Sequence, residues 1–311
     1  MDILLSSALL VTGLIMLCLG GNWLVSGGIK IAKKFRISNL VIGMTIIAYG
    51  TSAPELAASI AAAGEHSAII LGNIVGSNIA NIGMVVGFAA ILTPLAIQKS
   101  VLRKEIPIML GVSALLVLIS VDGEISQYDG ILLLIGLGVF GFYTFRNALK
   151  HRENAEDITG SDNGNVYLKS AVLIGIGIVV LYVGSILTVD NAVVLATEFG
   201  LSEKIIGLTV IAIGTSLPEL ITSIIAIRKG HTDIGIGNII GSNIYNVLMI
   251  MGVGASLGGI LITSDVYVDY AIMIIFGISL LVGFKTRIIN RTMGVILTAG
   301  YVLYLLTTFL K

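Results

Sequence analysis

Gly50-Thr51-Ser52-Ala53-Pro54-Glu55 and Gly214-Thr215-Ser216-Leu217-Pro218-Glu219 are near copies 164 positions apart, each inside a run of residues that otherwise belongs in lipid. A carboxylate, a proline and two hydroxyls within a membrane span are costly, and such groups mark ion or substrate pathways. Having the segment twice points to an internal duplication and, through its carboxylates, to cations.

The surrounding chain fits that reading. Of its 311 residues 56% are hydrophobic and 12% charged, against about 25% charged in an ordinary soluble protein. Thirty-eight glycines against four prolines suit closely packed membrane helices. A formal net charge of zero gives nucleic-acid binding no electrostatic support. The single cysteine, Cys18, has no intrachain disulfide partner and reads as a small packing residue. The apolar stretch 3–19 follows Met1-Asp2, with no basic residue before Lys30, so it is expected to be a retained first span and not a signal peptide.

Spans of about 20 mainly apolar residues fall near 3–28, 39–63, 68–94, 105–121, 128–146, 168–190, 203–227, 234–260, 267–284 and 292–310. Eight or nine is the competing count, because Gly-rich spans score weakly. Basic residues discriminate, since cytoplasmic loops collect them. With ten spans and an outer N-terminus, the inner loops hold sixteen of the eighteen Lys and Arg residues, leaving outside only Lys204 and Lys311. Both termini are therefore expected to be extracytoplasmic, in a plasma or inner membrane. The polar stretch from Lys150 to Asn165 reads as a cytoplasmic linker. Its four acidic residues match no EF-hand spacing, so a regulatory ion site there is the weaker reading.

At the 164-residue offset Thr45 meets Thr209, Ala48 meets Ala212 and Ser59 meets Ser223; after one inserted residue, 72–81 meets 237–246 with eight of ten positions identical. Five spans per half is an odd number, so the second half enters from the opposite side. The expected fold is an all-α polytopic membrane protein of ten transmembrane helices, arranged as two inverted five-helix repeats (1–149 and 168–311, joined by the linker 150–167) with helices broken at the midplane. Inverted repeats of this kind are common in secondary transporters.

Pro54 and Pro218 supply no N–H, so carbonyls in the preceding turn lose partners; backbone oxygens so released are tolerated in a membrane only when buried in protein or lining a polar cavity. Thr51 and Glu55, like Thr215 and Glu219, stand at i and i+4, with Ser52 and Ser216 on the neighbouring face. Ser77 with Asn81, and Ser242 with Asn246, repeat that spacing on the next span. Ca2+ takes about 6 to 8 oxygens, which two such half-sites can supply. Two carboxylates are neutralised by one Ca2+ or two Na+, a basis for mutually exclusive occupancy; a further Na+ on neutral oxygens would make exchange electrogenic. A lone Ser, Thr or Asn in a membrane helix is more often structural, whereas the glutamates are read as functional. Trp23, Tyr128 and Tyr267 fit interfacial belts or packing.

At these residues the chain resembles the sodium/calcium exchanger family of cation/Ca2+ antiporters, whose two repeats carry G-T-S-x-P-E and G-S-N-x-x-N motifs. With its short linker it is most similar to the small prokaryotic exchangers. The resemblance implies that Glu55 and Glu219 bind the transported Ca2+ and Na+. It adds the hydroxyls of Thr51, Ser52, Thr215, Ser216, Ser77 and Ser242, the amides of Asn81 and Asn246, and backbone oxygen at Ala48 and Ala212. It also implies that the first and sixth spans slide across the rest. Where K+-dependent relatives carry Asp this chain has Asn246, which implies K+-independent exchange. The implied protein is a Na+/Ca2+ antiporter, not an enzyme, without cofactors, working as a monomer in the bilayer.

A Ca2+(cation)/H+ antiporter is the alternative, since two buried carboxylates can also titrate; the many neutral oxygens favour Na+, because protons need no cage. A hydrolase using Ser52 or Ser216 lacks a base, as His66, His151 and His231 all fall in predicted loops. A passive Ca2+ channel fits inverted repeats with interrupted helices less well than alternating access does.

Overall fold

The computed structural model describes residues 3–63, 67–150, 165–200, 212–263, 266–284 and 286–309. These form ten helical segments: α1 (Ile3–Phe35), α2 in two pieces, α2a (Asn39–Thr51) and α2b (Ala53–Ala62), α3 (67–92), α4 (101–119), α5 (Gln127–Lys150), α6 (Asn165–Glu198), α7 in two pieces, α7a (Ala212–Thr215) and α7b (Leu217–Arg228), α8 (Thr232–Gly258), α9 (266–284) and α10 (Arg291–Phe309). Six unbroken helices among the described residues are long and apolar enough to cross a membrane, and the bent α2 makes a seventh if its pieces are one span. The chain is thus a multi-pass membrane protein. The start of the expected seventh span, the acidic stretch of the linker, His66 and His151 lie outside the described residues.

Local chemistry sets several boundaries. Arg36 takes a left-handed φ of 56° after α1, and Ile37 N–H closes back on Ala32 O at 2.9 Å, the hydrogen-bonded stop that satisfies a helix's last carbonyls. Gly230 does the same after α7b with φ 79°, returning His231 N–H to Ala226 O at 2.9 Å. Ser38 caps α2a through Val41 N–H at 3.3 Å. Beside it the Asn39 amide meets His231 Nδ1 at 3.1 Å. Burial, then the charges of Lys33 and Lys229, push the His231 imidazole down, which favours the neutral ring, whose Nδ1 can accept in the Nε2–H tautomer.

Two short ladders tie connections together. β1 (Leu95–Ala96) pairs antiparallel with β4 (Ile288–Ile289), Leu95 opposite Ile289; β2 (Glu124–Ile125) pairs with β3 (Ile260–Leu261), Ile125 opposite Ile260. The first joins the α3–α4 connection, with Lys99, to the α9–α10 connection, with Arg287. The second joins the α4–α5 connection, with Asp122 and Glu124, to the α8–α9 connection. Basic and acidic connections are thereby gathered into separate ladders.

The core is built around α3 and α8. Every residue of α8 from Ile234 to Gly252 is buried, so its apolar side chains need no amphipathic pattern and its polar ones must be satisfied inside the protein. By contrast α1 and α6 pair at the periphery, with Leu4, Ile15, Leu168 and Val179 exposed. Cys18 is also exposed on α1 and does not pack in the interior.

Because lipid tails are as apolar as Leu, helices in a bilayer associate through close packing and not through hydrophobic burial. Glycines provide it here. A Cβ at Gly20 would stand 2.8 Å from Leu181 N, and one at Gly177 2.8 Å from Leu24 N, so α1 and α6 meet backbone to backbone. On α8, a Cβ at Gly241 would stand 2.8 Å from both Met44 Cα and Ala48 Cβ of α2a. These are backbone and Cβ atoms that cannot rotate away. Gly241→Ala is expected to cost about 1–3 kcal/mol, measured as a lower melting temperature in detergent. Gly138→Ala, where nothing among the described residues lies within 4 Å, should be neutral or slightly stabilising.

Candidate functional site

The site begins at two helix breaks. After Thr51 the chain passes through Ser52 at φ −82°, ψ 5°, and restarts as α2b with Pro54 in its first turn, bent by 42°. Ser216 repeats the break at φ −88°, ψ 0°, followed by Pro218. Both serines sit in the sparsely populated bridge region, and both prolines stand where a missing N–H costs least. Glu55 and Glu219 consequently lie in the first turns of α2b and α7b, where the helix dipole favours negative charge.

Both glutamates are buried, as are Thr51, Ser52, Thr215, Ser216, Ser77, Asn81, Ser242 and Asn246. Cross-repeat hydrogen bonds draw several of them together. Ser52 Oγ lies 3.2 Å from Glu219 Oε1 and 3.1 Å from Ser242 Oγ, which is itself 3.4 Å from that carboxylate oxygen. The repeat mates of this triangle are Ser216, Ser77 and Glu55. There the oxygens behave otherwise: Ser216 Oγ, Ser77 Oγ and both Glu55 carboxylate oxygens are buried without a hydrogen-bond partner among the described residues. One triangle is closed by hydrogen bonds through Glu219 Oε1, and its repeat mate presents bare oxygens.

The asparagines are arranged more evenly. Asn81 Nδ2 donates to Asn243 Oδ1 at 3.4 Å, and Asn246 Nδ2 donates to Asn78 Oδ1 at 3.0 Å. Asn78 and Asn243 are then fixed from behind. Asn78 Nδ2 lies 3.3 Å from Asn243 O and 3.6 Å from Met273 Sδ, while Asn243 Nδ2 lies 3.5 Å from Met109 Sδ. With the N–H groups so directed, the Asn81 and Asn246 amide oxygens are buried and have no partner among the described residues, as is true of Glu219 Oε2. α3 and α8 pass through a π-helical turn beginning at Asn81 and at Asn246 respectively; such insertions are frequent at functional sites.

A second pair of asparagines supports the glutamate backbones. Asn73 Nδ2 lies 3.3 Å from Glu55 O and 3.3 Å from Ser59 Oγ; Asn238 Nδ2 lies 3.4 Å from Glu219 O and 3.0 Å from Ser223 Oγ. Thr51 Oγ1 reaches Asn238 Oδ1 at 3.1 Å and Ala48 O at 3.2 Å. Sequence spacing places Asn78 and Asn243 beside the Ser/Asn pairs, at i, i+3 from Asn81 and Asn246, without giving them a role, and it does not single out Asn73 and Asn238, although all four stand inside the duplicated 72–81 and 237–246 segments.

Two expectations are modified. Ala48 O accepts from Ser52 N–H at 3.0 Å as well as from Thr51, so it is not an idle carbonyl in this conformation. Its repeat mate Ala212 opens α7a, and there Ser216 N–H turns to Ile213 O at 3.1 Å. A third carboxylate, Glu105 near the start of α4, is also buried and accepts from Tyr143 OH at 3.3 Å.

No group of three or more His, Cys, Asp or Glu side chains gathers among the described residues. The site instead combines two carboxylates with hydroxyl and amide oxygens, a donor set for hard cations such as Na+ and Ca2+ and not for soft transition metals. Ser52→Ala removes the hydroxyl that links Glu219 to the opposite repeat. A hydrogen bond to a charged group contributes about 1.5–3 kcal/mol, so the apparent KM for the transported cation should rise roughly tenfold to a hundredfold, measurable in flux assays, with expression retained.

Known proteins carry the same architecture. A family profile described as sodium/calcium exchanger protein matches the chain twice, over residues 5–146 and 169–310. The chain is 38% identical to inner membrane protein YrbG of Escherichia coli (strain K12), covering 97% of this chain and 96% of that one. It is 31% identical to sodium/calcium exchanger MaX1 of Methanosarcina acetivorans, covering 97% of each. Its structure superposes on the sodium-calcium exchanger NCX_Mj, soaked with Na+ and Sr2+, with a TM-score of 0.85 at 34% identity over 97% of this chain and 98% of that one. Matched in both halves by one profile and along nearly its whole length by an exchanger structure, the chain belongs to the sodium/calcium exchanger family.

Proposed function

We propose that the protein is a Na+/Ca2+ antiporter that extrudes Ca2+ by alternating access as Na+ enters. The observation that carries this reading is the set of buried oxygens around two glutamates that have no partner among the described residues: both of Glu55, Oε2 of Glu219, the Ser77 and Ser216 hydroxyls, and the Asn81 and Asn246 amide oxygens. Leaving such atoms unpaired costs free energy unless something coordinates them, and a Ca2+ or Na+ ion does so. One Ca2+ or two Na+ neutralise the two carboxylates, so the ions exclude each other. A further Na+ on the neutral Asn81 and Asn246 oxygens makes exchange electrogenic, and the absence of a third carboxylate at Asn246 makes it K+-independent.

In this proposal the ten helical segments are ten spans in two inverted repeats, 1–149 and 168–311, with the linker in the cytoplasm and both termini outside. The separate gathering of basic and acidic connections supports that orientation. Thr51, Thr215, Ser52 and Ser242 complete the cage, with Ala48 O and Ala212 O as backbone ligands in conformations that release them. The α1–α6 pair, smooth and peripheral, slides as a unit to expose the cage alternately, and one chain suffices. Ca2+ uptake into proteoliposomes, driven by an outward Na+ gradient with pH clamped, tests the function. Uptake should require Na+, ignore K+ and accelerate with an interior-positive potential. Uptake that instead follows a proton gradient would reassign the protein to cation/H+ antiport.

A further inference from the structure

Three contacts tie down the turn that joins α7b to α8. Asn39 Nδ2, at the start of α2a, meets His231 Nδ1 at 3.1 Å. Gln98 Nε2, in the α3–α4 connection, donates to Asp233 Oδ2 at 2.8 Å. These two fix the turn to elements outside the α1–α6 pair. The third contact is made by Lys229, which reaches across to α1. Its Nζ donates to Ser26 Oγ at 2.7 Å and lies 3.4 Å from Asn22 O. The shorter distance falls in the range of charge-assisted hydrogen bonds.

We propose that Lys229 is a positioning residue: it latches α1 in the place seen here, with the inner seam between α1 and α7b shut, and so favours one access state of the exchanger over the other. This rests on the exchange reading, and in particular on a sliding α1–α6 pair. Asn22, Ser26 and Lys30 follow one another at intervals of four residues and share one face of α1. With the N-terminus outside, an outward displacement of α1 withdraws Ser26 from Lys229 and brings Lys30 toward it. An acceptor is exchanged for a like charge. Lys229 therefore resists that movement twice, by the bond it loses and by the charge it meets. One helical turn is about 5.4 Å long, so a displacement well short of a turn already breaks the contact with Ser26.

The seam beneath the latch is closely packed. Thr222 stands seven residues before Lys229, two turns back on the same face of α7b, and three residues after Glu219 of the cage. Its Oγ1 is buried without a partner among the described residues. A Cβ at Gly21 of α1 would stand 3.1 Å from that oxygen. Gly21 thus covers the Thr222 hydroxyl, and withdrawal of α1 uncovers it toward the side that carries the turn.

Exact inverted symmetry would make the two access states mirror images of equal free energy. The latch breaks that equality. At the 164-residue offset Ser26 corresponds to Asp190 and Asn22 to Ile186. The stretch that corresponds to Arg228-Lys229-Gly230-His231 falls within Ala63-Gly64-Glu65-His66-Ser67, which contains neither lysine nor arginine. The mirrored state has no lysine with which to repeat the contact, so the difference favours the state in which Lys229 holds α1.

Two arms test the latch and keep its failure apart from that of the exchange reading. In the first, Thr222→Cys is combined with Cys18→Ser, which removes the single native cysteine. Full-length protein in vesicles of one orientation then meets a membrane-impermeant maleimide on the side that carries the α7b–α8 turn. Adding Lys229→Met should speed labelling about threefold to tenfold, the effect of losing one hydrogen bond of ordinary strength from a two-state balance. Ser26→Ala should speed it in the same direction, and Lys229→Arg, which keeps a cationic donor, should leave it near the starting rate. Labelling that neither Lys229→Met nor Ser26→Ala accelerates overturns the proposal, whether or not the protein exchanges Na+ for Ca2+. In the second arm, KM for Ca2+ is measured on each face. Because apparent affinity scales with the fraction of molecules open to that face, Lys229→Met should raise the ratio of outer to inner KM about threefold to tenfold, and Lys229→Arg should restore it. Equal shifts on both faces, or a change in maximal rate alone, would make Lys229 a structural contact and overturn the proposal. Wild-type protein without Na+-driven uptake rejects the exchange reading, and the labelling arm then decides the latch.

Discussion

Glu55→Gln is expected to reduce Na+-driven Ca2+ uptake by about a thousandfold or more, while leaving the ion-free protein as stable as before or more so. The transport loss follows from charge. At an effective dielectric of about 20, two unit charges 4 Å apart interact by about 4 kcal/mol, and each 1.4 kcal/mol is a factor of ten. Stability follows from the absence of partners. Both Glu55 carboxylate oxygens are buried and bare among the described residues, so replacing the group with a neutral amide removes a group that is costly to bury. Glu219→Gln should lose transport equally but gain less, because Ser52 and Ser242 already hold Glu219 Oε1 and some of that support is lost. The two effects separate in a thermal-shift titration. Wild-type protein gains about 2.7 kcal/mol at Ca2+ a hundredfold above its Kd, whereas either variant should show almost no Ca2+-dependent rise in Tm. A Glu55→Gln protein that still transports Ca2+, or is still stabilised by it, would remove Glu55 from the cage.

The break, the carboxylate and the Ser/Asn partners were legible because proline and buried charge carry their meaning locally, and because the chain states them twice. Helix ends were less so. Hydropathy stops near residue 28, yet α1 runs to Phe35 through Lys30, Lys33 and Lys34, since lysines are good helix formers and a helix need not end where lipid does. The inequality of the half-sites was not legible at all. Ser52, Ser242 and Glu219 are chemically the same set as Ser216, Ser77 and Glu55, so no sequence pattern could say which would bond internally. That choice belongs to conformation, and the alternating access proposed above would require it to be reversible. The roles of Asn78 and Asn243 were hidden differently: each amide works on the opposite repeat, about 165 residues away, and no local period reports a contact of that range.

Asn246→Asp is expected to make Ca2+ transport more strongly pH-dependent than it is in the wild type. In the native chain Asn246 Nδ2 donates to Asn78 Oδ1 at 3.0 Å, while its own Oδ1 has no partner among the described residues. An ionised aspartate keeps the free oxygen but replaces the donor with an acceptor, setting two acceptors face to face at hydrogen-bond distance. Turning the Asn78 amide to meet it would break the contacts of Asn78 Nδ2 with Asn243 O and Met273 Sδ, and those contacts fix the opposite half of the network. The less disruptive solution is a proton on the introduced carboxyl, which restores a donor toward Asn78. At low pH the protonated variant should then resemble wild type in Ca2+ KM and rate. As pH rises and the proton leaves, a third negative charge enters the cage, so Ca2+ should bind more tightly and turn over more slowly, with KM falling about tenfold per 1.4 kcal/mol of added attraction. Adding Asn78→Asp should intensify the effect, since two carboxyls in contact resist joint ionisation. Flux measured from pH 6 to 9 in Na+-loaded vesicles gives the answer. A variant whose KM is flat across that range would show that Asn246 does not face the ion, and would remove the physical basis for K+-independence.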